Sequence, residues 1–146
     1  MIYWFTGQPG HGKTTLALAL KDHLDRKAFT KIRHVDGEDL REVTGNKDYT
    51  KRGRVNNIRL AQSMALKYLN EGHTVIVSLV SPFRDLREQF KLETGCREIY
   101  VFTTEVRGKE VFSVDYEKPE QDFLLVDTTN VSVEESIKKI TLHFNL

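Results

Sequence analysis

The chain has 146 residues, with 22 Lys and Arg against 21 Asp and Glu, a formal net charge of +1. That length suits one domain with a sheet covered on both faces, so residues 1–146 read as a single domain; the balanced charge excludes bulk attraction to nucleic acid or membrane. Cys96 is the only cysteine, which excludes an internal disulfide, and the short apolar run at the N-terminus lacks the basic leader of a signal peptide, so the expected compartment is the cytoplasm.

In chain order, Ile2-Tyr3-Trp4-Phe5 predicts a short buried strand. Gly7-Gln8-Pro9-Gly10-His11-Gly12-Lys13-Thr14 follows, a complete G-x-x-x-x-G-K-[ST] phosphate loop, and Thr15 to Leu20 continues as the first turns of a helix. Ile32 to Val35 predicts a second strand ending at Asp36-Gly37. A helical pattern runs from about Arg54 to Leu69 and closes at Asn70-Glu71-Gly72. Thr74 to Ser78 is the cleanest buried strand, and Pro82 leads into a helix carrying Arg84, Arg87 and Phe90. Glu98 to Phe102 and Phe123 to Asp127 predict two more strands. Ser132-Val133-Glu134-Glu135 is a capping box opening the last helix. Alternating strands and helices predict an α/β chain of P-loop NTPase/kinase fold, with a five-stranded, mostly parallel sheet flanked by helices. Between Thr103 and Gln121 there is no period, and so long a connection in a compact domain points to function.

The phosphate loop carries specific chemistry. Gly7, Gly10 and Gly12 let the backbone bring its N–H groups close to phosphate oxygens, and the helix starting near Lys13 aims its positive end at the same anion. Lys13 is expected to reach the β- and γ-phosphates and the Thr14 hydroxyl to ligate Mg2+. The ATP-binding set is thus Gly7, Gln8, Pro9, Gly10, His11, Gly12, Lys13, Thr14 and Thr15, with Mg2+ the implied cofactor.

A second constellation stands at the end of the second strand. Asp36, Glu38 and Asp39, followed by Arg41, form a charged turn where a carboxylate can order Mg2+ or accept a proton from an acceptor hydroxyl; the same Asp36 also fits an ordinary helix cap. Arg54 and Asn57 share a helix face. Arg41, Arg54, Arg59 and Arg84 supply guanidinium groups suited to phosphate or sulfate, and about half of them are expected to face ligand.

These segments, with Tyr49-Thr50-Lys51-Arg52-Gly53-Arg54-Val55-Asn56-Asn57-Ile58-Arg59 and Val80-Ser81-Pro82-Phe83-Arg84, resemble the adenylylsulfate (APS) kinase family over nearly the whole chain. The resemblance implies transfer of the γ-phosphoryl of MgATP to the 3′-hydroxyl of adenosine 5′-phosphosulfate. It implies Asp36 as general base beside Lys13, and Arg41, Arg54 and Asn57 as holders of the phosphosulfate. It also implies Tyr49 and Phe112 as aromatic faces for the acceptor base, and Val80 and Ser81 as lining of the same pocket. A homodimer is implied by the family alone, and neither a membrane nor a nucleic acid is expected as partner.

Two departures alter the expectation. Glu38 stands where the family has a second Asp; it remains a second candidate metal ligand, its carboxylate displaced by one methylene. The family's long basic lid after the fourth strand is cut to Arg107-Gly108-Lys109-Glu110-Val111-Phe112 and the residues behind it, with Arg107 and Lys109 as candidate replacements for the lost lid cations. A trimmed cover excludes less water and neutralises less charge. It leaves room for a related acceptor: another anionic hydroxyl compound such as a nucleotide, a modified nucleobase or a sugar. A module that binds nucleotide with little catalysis is the remaining alternative.

Overall fold

The structure, a computed structural model, describes residues 1–27, 31–105, 107 and 112–146. Five strands, β1 (Ile2–Thr6), β2 (Ile32–Asp36), β3 (Thr74–Ser78), β4 (Arg97–Phe102) and β5 (Phe123–Asp127), form one sheet in the order β2-β3-β1-β4-β5. All four pairings are parallel, so the sheet is wholly parallel. The parallel register brings Phe5 and Asp36 each opposite Ser78, so three strands end together on one edge.

Strand alternation sorts the core into two layers. Ile2, Trp4, Val35, Val75 and Val77 face α3 (Lys51–Asn70) and α4 (Arg84–Thr94), where Ile58, Ala61, Ala65, Leu86 and Phe90 receive them. Tyr3, Phe5, Ile76, Ile99 and Val101 face α1 (Lys13–Lys27) and α5 (Val133–Phe144), meeting Leu16, Leu20, Leu24 and Ile140. Ser132 caps α5 by accepting from the Glu135 amide at 3.1 Å, as its motif predicts. Cys96 is buried, and burial pushes its thiol up to about 12, which suits an idle core residue.

Sequence periodicity misses one element. Gly37–Thr44 forms a two-turn helix, α2, capped by Asp36, whose side chain accepts from the amides of Glu38 and Asp39. The helix after it begins at Lys51, earlier than its apolar pattern suggests, because Thr50 caps it and Gly53 fits tightly against Asp48. Among the described residues, no helix is long and apolar enough to cross a membrane.

Candidate active site

The phosphate loop leaves β1 and is pinned at both flanks. Thr6 Oγ1 donates to the Val80 carbonyl at 2.7 Å, and the Gly7 amide donates to the same oxygen at 3.5 Å. Gly7 has φ +150°, and a Cβ there would stand 2.3 Å from the Val101 carbonyl oxygen. Gly7→Ala is therefore expected to cost at least about 2 kcal/mol of stability, read as a fall in the urea midpoint at unchanged slope.

Lys13 lies at the start of α1, only 8% exposed, with Nζ donating to the Gln8 carbonyl at 2.8 Å. Burial pushes its pKa down to about 8, against the opposing pull of Asp36 and Glu38. A buried ammonium whose one hydrogen-bond acceptor among the described residues is a carbonyl is an incomplete cation site, and a polyphosphate would complete it.

Across from Lys13, Asp36 gathers four hydrogen bonds. Oδ1 accepts from Thr14 Oγ1 at 2.8 Å and Ser78 Oγ at 2.6 Å; Oδ2 accepts from the amides of Glu38 at 3.1 Å and Asp39 at 3.4 Å. Burial works to raise the Asp36 pKa, but the bonds from Ser78, Thr14 and the Asp39 amide outweigh it, so the carboxyl sits below its ordinary range. The sequence expectation of a carboxylate beside the phosphate loop and the plainer expectation of a helix cap are both realised by this one residue. Thr14 is exposed and spends its proton on Asp36, which leaves its lone pairs open to a hard cation. Glu38 is exposed on the first turn of α2.

The residues expected to hold an acceptor sit on α2, α3 and the β3–α4 turn. Asn57 is buried and donates from Nδ2 to the Gly37 carbonyl at 3.2 Å, while its Oδ1 is buried with no hydrogen-bond partner among the described residues. Arg41 folds back on its own loop, donating to the Asn46 and Asp48 carbonyls at 3.2 and 3.1 Å, with its guanidinium 4.1 Å from the exposed Tyr49 ring centroid. Arg54 forks onto Asp115 at 2.6 and 2.5 Å and reaches Ser113 Oγ at 3.0 Å, above the Phe83 ring. Val80 gives its carbonyl to Thr6. Ser81 is buried at φ +47° and its Oγ accepts from the Trp4 indole at 3.0 Å. Arg59 reaches Gln62, and Arg84 pairs with Glu120, so these two guanidinium groups serve their own surroundings.

Phe112 lies edge-on to the His11 ring, centroids 5.9 Å apart, and its described ring contact is with the phosphate loop while that of Tyr49 is with Arg41. Beside it opens a cleft of about 770 Å³ walled by Gln8, His11, Tyr100, Phe102, Phe112 and Tyr116. Gln8 clasps Ser113 through both amide atoms, at 3.0 and 2.8 Å, tying Ser113 and the chain that follows it to the phosphate loop.

The adenylylsulphate kinase family model matches residues 1–122. The chain belongs to the adenylylsulphate kinase family. It is accordingly a kinase that transfers phosphate to a hydroxyl group. An adenylyl-sulfate kinase of Bacteroides thetaiotaomicron is 28% identical, aligned over 96% of this chain and 81% of the relative. A cytidine diphosphoramidate kinase of Campylobacter jejuni is 30% identical, over 95% and 93%. The Mycobacterium tuberculosis APS kinase in complex with AMPPNP and APS superposes with a TM-score of 0.82 over 99% of this chain and 97% of that one, at 20% identity, a likeness of fold.

Against this family background, Arg107 stands beside the phosphate loop. It donates to the His11 carbonyl at 3.3 Å and the Thr128 carbonyl at 3.0 Å, and pairs with Glu105 at 2.9 Å. Lys109, the other candidate lid cation, lies outside the described residues. Sequence reasoning missed His34, Ser78, Ser113 and Asp115. His34 carried a signal in its period-two spacing from Asp36 on one strand, whereas Ser78 and Asp115 act through pairings 42 and 61 residues distant in sequence.

Proposed function

We propose that the chain binds MgATP at Gly7 to Thr15 and transfers its γ-phosphoryl group to the 3′-hydroxyl of adenosine 5′-phosphosulfate. The observation that carries this reading is the meeting of Thr14 and Asp36 at 2.8 Å, which sets a carboxylate beside the phosphate loop within a chain of this family. Lys13 neutralises the transferring group; Thr14, with Glu38 as a second candidate, would hold Mg2+, which would supply further charge neutralisation. Asp36 orients the acceptor hydroxyl and takes its proton late, as suits a group of lowered basicity. Asn57 offers its Oδ1, unpartnered among the described residues, and Arg41 and Arg54 the cations for the acceptor's anionic end.

A second acceptor has specific support. Arg54 already holds the carboxylate of Asp115, so one of the two cations is neutralised before any acceptor arrives. The cytidine diphosphoramidate kinase relative is aligned over almost its whole length. Cytidine diphosphoramidate is therefore the competing hydroxyl substrate, and the same site chemistry serves it.

The experiment is a coupled ADP-release assay with ATP, Mg2+ and each acceptor in turn, with product mass confirmed. Turnover of adenylylsulfate supports the first reading; turnover of cytidine diphosphoramidate alone replaces it with the second. In either case Asp36→Asn is expected to lower kcat about a hundredfold, with ATP binding retained by calorimetry. Full activity in that variant overturns the role given to Asp36, and absence of turnover with every acceptor favours the binding-module alternative.

A further inference from the structure

Two side chains of the sheet stand behind Asp36. Alternation puts His34 on the same face of β2, and the parallel register puts Ser78, the last residue of β3, opposite Asp36. Ser78 is buried; its Oγ lies 2.6 Å from Asp36 Oδ1 and 2.7 Å from His34 Nε2.

Counting protons fixes the direction of these bonds. A serine hydroxyl has one proton, and an ionised carboxylate has none to give. Ser78 therefore donates to Asp36, and the short His34 contact needs an N–H on Nε2 pointing at Ser78 Oγ. Donation runs from His34 to Ser78 to Asp36 and ends on the oxygen that also receives Thr14.

The arrangement matters once the Thr14 hydroxyl is drawn toward a cation. Of the two hydroxyls on Asp36 Oδ1, Thr14 belongs to the phosphate loop, where a cation would compete for it, whereas Ser78 belongs to the sheet. The sheet itself is held by backbone bonds and does not require a polar side chain at either position. We propose that Ser78 and His34 are positioning residues that hold the Asp36 carboxylate in the orientation that receives the acceptor hydroxyl. Neither touches substrate, and the inference rests on the reading of Asp36 given above.

The test uses the full chain with Ser78→Ala, His34→Leu, His34→Gln and the Ser78→Ala/His34→Leu double variant, each assayed with the acceptor that gives turnover. A glutamine at position 34 carries an amide N–H that replaces the one on Nε2. One hydrogen bond to a charged group sets the scale: Ser78→Ala is expected to lower kcat about tenfold and His34→Leu about threefold. KM for ATP should stay within about twofold, because the phosphate loop is untouched. His34→Gln should recover the wild-type rate, and the double variant should be no slower than Ser78→Ala, because a broken chain cannot be broken twice.

The inference is overturned if His34→Gln is as slow as His34→Leu, if the two losses multiply, or if they fall on KM for ATP. Should Ser78→Ala fail to fold, the Leu and Gln variants decide alone. A readout independent of turnover is long-range proton–nitrogen NMR of the imidazole. A protonated Nε2 that shifts in Ser78→Ala supports the chain of donors, and the opposite tautomer refutes it. The two readings fail separately: a fully active Asp36→Asn removes the role of Asp36, whereas a slow Asp36→Asn beside unaffected Ser78→Ala and His34→Leu removes only this one.

Discussion

Lys13→Ala is expected to lower phosphoryl transfer by about a thousandfold, the scale of deleting a cation that acts on developing phosphate charge. The loss should appear in kcat with a smaller rise in KM for ATP, because the loop amides still hold the phosphates. Lys13 also carries a pH signature. Its folded pKa of about 8 lies below the unfolded value of 10.5. Below pH 8 both states are protonated, and the folded state bears the full cost of a buried ammonium. Between pH 8 and 10.5 the unfolded chain binds more protons than the folded one, so stability rises with pH through that window. The drop from 10.5 to about 8 corresponds to about 3 kcal/mol. Urea unfolding of wild type and Lys13→Met without nucleotide tests it: wild type should gain on the variant between pH 7.5 and 10.5. A constant difference would mean that Lys13 is not buried as a cation. With ATP the charge is needed, so KM for ATP should climb above pH 8 in wild type only.

How far the sequence discloses such a site depends on whether its parts are contiguous. The phosphate loop is legible because eight adjacent residues specify a backbone path, and β1 and α1 flank it as expected. Asp36 is legible as a carboxylate at a strand end and as a helix cap, but the extent of α2 is not, since two turns carry too little apolar period. The arginines show the opposite limit. Composition says that guanidinium groups abound, but whether each meets a ligand or its own chain depends on partners far along the sequence. Arg54 finds Asp115, Arg84 finds Glu120 and Arg87 finds Glu98. The segment from 112 to 121 lacks periodicity for the same reason. It is held by Gln8, Arg54, Arg87 and Lys91 through side-chain bonds to its backbone and to Asp115, a kind of order with no repeating pattern.

Arg87 is the residue on which that order rests, and Arg87→Ala is expected to cost about 3–5 kcal/mol of stability. Its guanidinium is buried and spent in three directions. Nε pairs with Glu98 at 2.7 Å, Nη1 donates to the Ser81 carbonyl at 2.6 Å, and Nη2 donates to the Glu117 carbonyl, with the Tyr116 ring beside it. Truncation leaves Glu98, whose side chain is 1% exposed, with Lys91 as its remaining cation, and strips two carbonyls of their donor. Arg87→Lys should rescue little, because one ammonium cannot serve three fixed directions. Replacing both partners, as Arg87→Met/Glu98→Leu, should recover much of the loss, since no buried charge then lacks its counterion. Urea midpoints of the four proteins at unchanged slope check the set, and a double variant no more stable than Arg87→Ala would refute the buried-charge explanation. The consequence for catalysis follows from Ser81. That residue sits at positive φ next to Val80, whose carbonyl anchors Thr6 and Gly7, so loosening the turn loosens the root of the phosphate loop. KM for ATP in Arg87→Lys should therefore rise even at temperatures where the variant is fully folded.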